Sequence, residues 1–433
     1  MNFENNLLFA QNLDLADPLA PLRNEFLFPQ QNENPFIYLC GNSLGLQPKS
    51  ARYVLDVQLK NWHHLAVEGW FEGDEPWMFY HKELKKLIAP IVGASEQEVC
   101  PMNTLTVNLH LLMVSFYKPK GKRFRIIMEA GAFPSDQYAI ESQVCFHGYD
   151  PKEAILEVAP KPGEYTLRTA DILKAIADHA DEIALVLFGG VNYFTGQWYD
   201  MEAITRAGHA AGAVVGFDLA HAAGNVPLEL HKWGVDFACW CSYKYQNSGP
   251  GGISAIFVHE KHFEDKTLNR FAGWWGYQEQ QRFKMETGFV PEAGADGWQV
   301  SCTQVMPMAL YHASLLLFEK AGFIGPLRSK SKALTSYLFY VIDEVNKGLA
   351  EEYYTIITPR SEADRGAQVS IIAKANGKRV FKRLMAANVL GDWREPNVIR
   401  LSPVPMYNSF EDVFRTGELL LEISRQINEN PAD

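Results

Sequence analysis

No run of 18 apolar residues occurs anywhere in the chain, which excludes the ordinary signature of a membrane-spanning helix. The start, Met1 to Asn6, has neither the basic nor the apolar stretch of a secretory signal, so a cytoplasmic location is expected. Positive charge is in deficit: 40 Lys and Arg face 51 Asp and Glu, a net charge of −11. That argues against general binding to nucleic acid or anionic membrane, while leaving room for a local basic pocket. Cysteines are few for the length, six at positions 40, 100, 145, 239, 241 and 302, and form no disulfide framework. Cys239 and Cys241 alternate with Trp240 along a predicted strand, so both thiols should face one way as small core residues. With no second Cys/His cluster in the sequence to complete a site, no metal is expected. Repeats and low-complexity tracts are absent.

What is present is a globular chain, 47% hydrophobic, able to bury one large core and a smaller second one. It is organised around residues 236–252, an apolar strand running into Ser242-Tyr243-Lys244-Tyr245 and then Gly249, Gly251 and Gly252. An ammonium at the end of a buried strand must lose its charge, find a partner or be used covalently. Upstream, Ala213-Val214-Val215 leads into Gly216-Phe217-Asp218-Leu219-Ala220-His221, another strand ending in polar groups. Asp218 and Lys244 are 26 residues apart (244 − 218), a spacing that suits neighbouring strands of an α/β sheet opening into one crevice. A lysine and a carboxylate so placed are what pyridoxal phosphate needs: an amine to carry it and an acid to keep its ring nitrogen protonated.

The rest of the chain alternates in the same manner. Strands are predicted at Arg123–Glu129, Ile183–Phe188 and Gly252–Val258, and helices at 79–92, Val107–Phe116, Thr169–Glu182 and Asp200–Gly212. Thr104 or Thr106 is a predicted N-cap, Pro48 is read as opening a helix to Leu65, and Ser135 or Asp136 as capping the helix after Phe133-Pro134. Long helices at Met306–Lys320 and Leu327–Leu349 precede strands near 354–358, 368–372 and 398–402. Arg400, between apolar neighbours, needs a counter-ion: a protein carboxylate or a substrate's.

Four motifs in order, Asn103-Thr104-Leu105-Thr106-Val107-Asn108-Leu109-His110, Phe133-Pro134-Ser135-Asp136, Gly216 to His221 and Ser242 to Tyr245 with its glycines, resemble those of the kynureninases. The likeness runs from about Tyr38 to about Phe410. It implies a fold-type-I pyridoxal-phosphate enzyme of the α/β class, with a seven-stranded mixed sheet in a large domain (38–325, its 38–80 stretch near the small domain), an N-terminal arm (1–37) and a smaller α+β domain (326–433). A homodimer is implied too. So is hydrolysis of kynurenine to anthranilate and alanine, and of 3-hydroxykynurenine to 3-hydroxyanthranilate, in tryptophan breakdown or NAD synthesis.

By the same resemblance Lys244 carries the cofactor, Asp218 and Asp136 lie at its ring nitrogen, and Phe133 stacks on the ring beside Pro134, Ser135 and His221. Leu105, Thr106 and Tyr243 reach the phosphate, as does Trp274 across the dimer interface, and Tyr243 also passes protons. Cys302, or Thr303 by a one-residue shift, takes a place where the family has Asn or Thr. Asn42, Ser43, Trp70 and Arg400 face the substrate, Trp70 its ring and Arg400 its carboxylate. Gly189 departs from the hydroxyl many members carry there. The rival readings are a cysteine desulfurase-like lyase of the same fold, using Cys302 or Cys40, and a catalytically silent pyridoxal-phosphate-binding protein.

Overall fold

The computed structural model describes residues 2–349 and 352–429; Met1, residues 350–351 and 430–433, within the ranges expected for the arm and the small domain, lie outside the described residues. Two compact units make up the chain: Ala51–Gly190 with Tyr199–Leu316, and Met1–Ser50 with Val191–Trp198 and Leu317–Asp433. No helix among the described residues is long and apolar enough to cross a membrane.

The first unit is built on β1 (Val99–Pro101), β2 (Arg125–Glu129), β3 (Ile155–Val158), β4 (Ile183–Gly189), β5 (Val214–Asp218), β6 (Phe237–Cys241) and β7 (Ser254–Val258), in the order β1-β7-β6-β5-β4-β2-β3. Only β7 runs antiparallel to its neighbours, so the expected seven-stranded mixed sheet is present. Parallel strands need crossovers that cover both faces, and residues 183–188 are accordingly buried throughout instead of alternating. One consequence decides the chemistry: β2, β4, β5 and β6 all end on the same edge, bringing Glu129, Gly189, Asp218 and the Ser242–Lys244 turn to one side. The registers of β5 and β6 are locked by packing. A Cβ at Gly216 would stand 2.2 Å from the Phe237 ring. Phe237 in turn stacks on Phe116 at 4.9 Å, and Phe116 on Trp298 at 6.2 Å. Cys239 and Cys241 are buried, as read from the sequence, and burial pushes both thiols up.

The second unit has an antiparallel sheet of β8 (Tyr354–Ile356), β9 (Val369–Ala373), β10 (Asp392–Arg394) and β11 (Val398–Leu401), ordered β8-β9-β11-β10. It shares a core with two long helices, Ile324–Lys347 and Phe410–Glu429. The N-terminal helix Leu7–Ala16 joins that core, and Asp14 accepts hydrogen bonds from the Phe410 and Glu411 amides at 2.6 and 3.0 Å. A carboxylate borrowed from the chain's start thus satisfies the free N–H groups and complements the dipole of its last helix. Lys330 with Asp17 (2.7 Å) and Arg23 with Asp412 (2.7 Å) reinforce the attachment.

Several local expectations are corrected. The helix after Pro48 starts at Ala51, because Pro48 pairs with Phe26 in a two-residue ribbon. Thr106 lies inside its helix, α1 (Leu105–Phe116), and Thr104 stands at the N-cap without a side-chain bond. The turn is made instead by Asn103, at φ 47° and bonded to Asn108 at 3.0 Å. In α2 (Pro134–Phe146) the N-cap is Phe133, which has no polar group to cap with. The helix from Thr169 ends at Asp178, four residues early.

Candidate active site

Lys244 follows β6 and is buried, its Nζ 5.8 Å from the centres of the Phe133 and Tyr243 rings. The glycine-rich continuation folds back tightly: Asn247, Gly249 and Gly251 all have positive φ, and the Ser242 and Ser248 hydroxyls meet at 2.5 Å. That turn fixes where the lysine leaves the sheet. Across from it, Asp218 at the end of β5 accepts from the Ala220 amide at 2.7 Å and is hydrogen-bonded to Asp136 from the first turn of α2.

Burial raises both carboxyls, and the facing Asp218 raises Asp136 further, while the Lys244 charge opposes the shift in each. Asp136, raised the more strongly, is therefore the member of the pair that keeps a proton and donates to Asp218. Tyr243 lies against the Cys241 thiol, and burial pushes its phenol up, so it stays protonated as an acid. His221 is buried, its ring 6.4 Å from that of Tyr245. At the start of α1 the uncapped first turn presents backbone N–H groups at Leu105 and Thr106, an arrangement that suits an anion.

A pyridoxal group fits these residues. An ionised carboxylate with a protonated neighbour meets a cationic ring nitrogen, the half-exposed Phe133 offers a face, and Lys244 supplies the amine. Thr303 adds a buried hydroxyl without a hydrogen-bond partner, whereas Cys302 beside it is exposed. Trp70 packs edge-on against Trp77 (5.7 Å) and tilted against buried Trp275 (5.4 Å). Trp274 donates its Nε1–H to the Arg282 carbonyl at 3.0 Å.

The second unit carries the remaining predicted groups. Arg400 on β11 is fully buried; it donates to the Tyr193 carbonyl (2.6 Å) and to Ser43 Oγ (3.1 Å), and pairs with Asp392 at 2.5 Å. Burial lowers its pKa and Asp392 opposes that. Its Nε has no partner. Ser43 also bonds Asp392, and buried Asn42 donates to Gln368 at 3.0 Å.

Comparison with known proteins agrees with this geometry. Residues 48–274 match the class-V aminotransferase model and residues 327–420 that of the kynureninase C-terminal domain. A kynureninase of Flavobacterium psychrophilum is 54% identical over 420 residues, covering 97% of this chain and 98% of its own. The chain belongs to the kynureninase family. A kynureninase of the animal Nematostella vectensis is 46% identical over 441 residues, covering 98% of this chain and 95% of its own. Among solved structures, a cysteine desulfurase of Thermococcus onnurineus superposes with a TM-score of 0.75 over 94% of this chain and 98% of its own. At 18% identity that likeness is one of fold.

Sequence reasoning missed several partners of the residues it singled out. Asp392, on β10, which holds Arg400 and Ser43, and Gln368, just before β9, which holds Asn42, leave no local motif. Trp275, the buried neighbour of Trp70, stood unremarked beside Trp274. Cys145 is exposed although it lies in α2. Away from the strand-end edge, the structure gathers Glu98, His231 and His259, with ligand atoms within 4.8 Å of one another. Glu98 accepts from His231 (2.9 Å) and from the Glu260 and Ser95 amides (3.0 and 2.9 Å), so its carboxylate is satisfied by hydrogen bonds alone.

Proposed function

We propose that this protein is a pyridoxal-phosphate-dependent kynureninase, hydrolysing L-kynurenine to anthranilate and L-alanine. The observation that carries the reading is a buried lysine opposite a proton-sharing pair of aspartates, in a chain about half identical to kynureninases along nearly its whole length. Bound there, pyridoxal phosphate supplies the electron sink that makes carbanions at the substrate's Cα and Cβ accessible.

The chain's own residues supply the rest. Ionised Asp218 fixes a protonated ring nitrogen, with Asp136 holding the second proton. Leu105 and Thr106 amides, with the Tyr243 hydroxyl, receive the phosphate. Phe133 presses on one ring face, and Pro134, Ser135 and His221 complete the cradle. Arg400 takes the α-carboxylate. Asp392 already neutralises its charge and Ser43 fixes its plane, so the arginine is pre-oriented, and its spare Nε–H is available as a donor. The Lys244 amine removes the Cα proton, water adds to the γ-carbonyl, the Cβ–Cγ bond breaks, and the Tyr243 phenol returns a proton to Cβ.

Fluorescence of released anthranilate tests the reaction, run beside sulfide release from cysteine. Sulfide in place of anthranilate would shift the assignment to a desulfurase; neither product, with cofactor bound, would leave a silent binding protein. The exposed Cys302 is the thiol the desulfurase reading needs. Trp70 is assigned to the substrate's ring and the 302–303 segment to its neighbourhood. An indole face beside a thiol discriminates a ring hydroxyl weakly. We expect kcat/KM for kynurenine to equal or exceed that for 3-hydroxykynurenine; a preference of more than about tenfold for the hydroxylated substrate, roughly 1.4 kcal/mol, would refute this pocket.

A homodimer is part of the proposal. Phe71, Phe283 and Trp274 are exposed and touch in sequence, at 5.9 and 5.4 Å between ring centres, with exposed Met285 nearby in the chain. An exposed aromatic patch of this kind favours a partner surface. Trp274 is assigned to the cofactor phosphate of the other protomer, a role that requires it to leave the Arg282 carbonyl. Light scattering should give twice the 48.9 kDa of one chain; a monomer would remove Trp274 from the site. We place the enzyme in the cytoplasm, where cell fractionation should find it.

A further inference from the structure

Three strands end side by side at the acidic end of the cradle: β5 in Asp218, β4 in Gly189 and β2 in Glu129, with Gly189 in register with Asp218. Glu129 has no part in the mechanism above, yet it is buried, and both its carboxyl oxygens accept from the single N–H of Gly189, at 3.1 and 3.2 Å. Gly189 stands where the resemblance implies a hydroxyl in many members, and its backbone N–H is met by the carboxyl of the adjacent strand. With only backbone amides, those of Gly189 and of Glu129 itself, donating to it in a buried place, the carboxyl is poorly solvated, and an ionised Glu129 would add a second negative charge beside Asp218.

We infer that Glu129 is a positioning residue of the cofactor cradle: it clamps the Gly189 strand end in register beside Asp218 and, as a neutral carboxyl, leaves Asp218 to carry the negative charge there. The inference rests on the cofactor reading proposed above. The groups acting on this end are Asp218 from β5, Asp136 from α2 and Lys244 from the turn after β6. Burial, with a smaller contribution from Asp218, pushes Glu129 up to about 7, against the pull of its own amide and that of Gly189. The sign is that of a raised carboxyl. The folded chain keeps a proton that the unfolded chain releases, so this group's stabilisation is complete below the unfolded value of 4.5 and is lost as pH rises from there to about 7.

The experiment compares wild type, Glu129→Gln and Glu129→Ala in two ways: melting temperature of the cofactor-free protein, and pyridoxal phosphate affinity with visible absorbance of the holoenzyme, each from about pH 5.5 to 8.5. In wild type, affinity and absorbance should change with a midpoint near neutrality, and this group's contribution should lower the melting temperature as pH rises to about 7 and level off above it. Glu129→Gln, which keeps shape and neutrality, should bind within about threefold of wild type in acid and lose the transition in both readouts; Glu129→Ala should bind at least about tenfold more weakly, a defect that Gln rescues. An unchanged transition in Glu129→Gln overturns the inference, as does normal affinity in Glu129→Ala. If Glu129→Ala does not fold, the comparison of Gln with wild type decides alone. Failure of wild type to hold the cofactor on Lys244 would instead defeat the reading of the site.

Discussion

Lys244→Ala should lower kcat/KM for kynurenine by at least about a thousandfold, roughly 4 kcal/mol of barrier, while leaving the protein folded. Two roles are lost together. The amine proposed to link the cofactor is gone, and so is the base assigned to the Cα proton. The electrostatic change is separate: Lys244 opposes the upward shifts of Asp136 and Asp218, so its removal drives that pair further toward neutrality. A short side chain at the end of β6 leaves the strand's packing intact, since the buried contacts of Phe237, Cys239 and Trp240 precede it. Borohydride reduction of the wild type, followed by peptide mass analysis, should put the cofactor on Lys244. Label on another lysine would sink the assignment, and so would an alanine variant within tenfold of wild type.

The catalytic strand ends were legible because apolar, doubly buried strands leave an uninterrupted signal, and a Lys or Asp at the end of such a run contradicts it visibly. The same pattern carried the α/β alternation, whereas the seven-stranded mixed sheet was implied by the family resemblance. Helix starts were read less well. Thr104 does stand at the N-cap of α1, though its side chain makes no capping bond, while Thr106 lies inside the helix; before α2 Phe133 occupies the cap in place of Ser135, leaving Asp136 free to meet Asp218. Position within a turn is decided by tertiary contact as much as by residue type. Partners set by tertiary pairing were invisible: Asp392 faces Arg400 across one antiparallel pair, Glu129 meets Gly189 across two parallel strands, and Gln368 accepts from Asn42, far away in the sequence. Cys145 shows the converse. A helical cysteine read as unremarkable is exposed, because helix periodicity fixes a face and not the depth of its burial.

Asp218→Asn should retain pyridoxal phosphate with affinity within about tenfold of wild type, yet slow turnover by at least about a hundredfold, roughly 3 kcal/mol. The amide preserves the local bonding: its oxygen still accepts from the Ala220 N–H, which now meets Asp218 at 2.7 Å. What disappears is the negative charge opposite the ring nitrogen. Asp136 then loses the neighbour that raises it beyond the effect of burial, and it becomes the next group able to ionise there. The two aspartates should therefore be non-additive. Asp136→Asn alone leaves Asp218 ionised and costs less than Asp218→Asn, whereas the double variant should fall below the product of the single effects, because no carboxylate of the pair remains to take the charge. Single-turnover rates across a double-mutant cycle measure this directly. Near-normal chemistry in Asp218→Asn, with a large loss in Asp136→Asn, would reverse the two roles and put the working charge on the helix instead of the strand end.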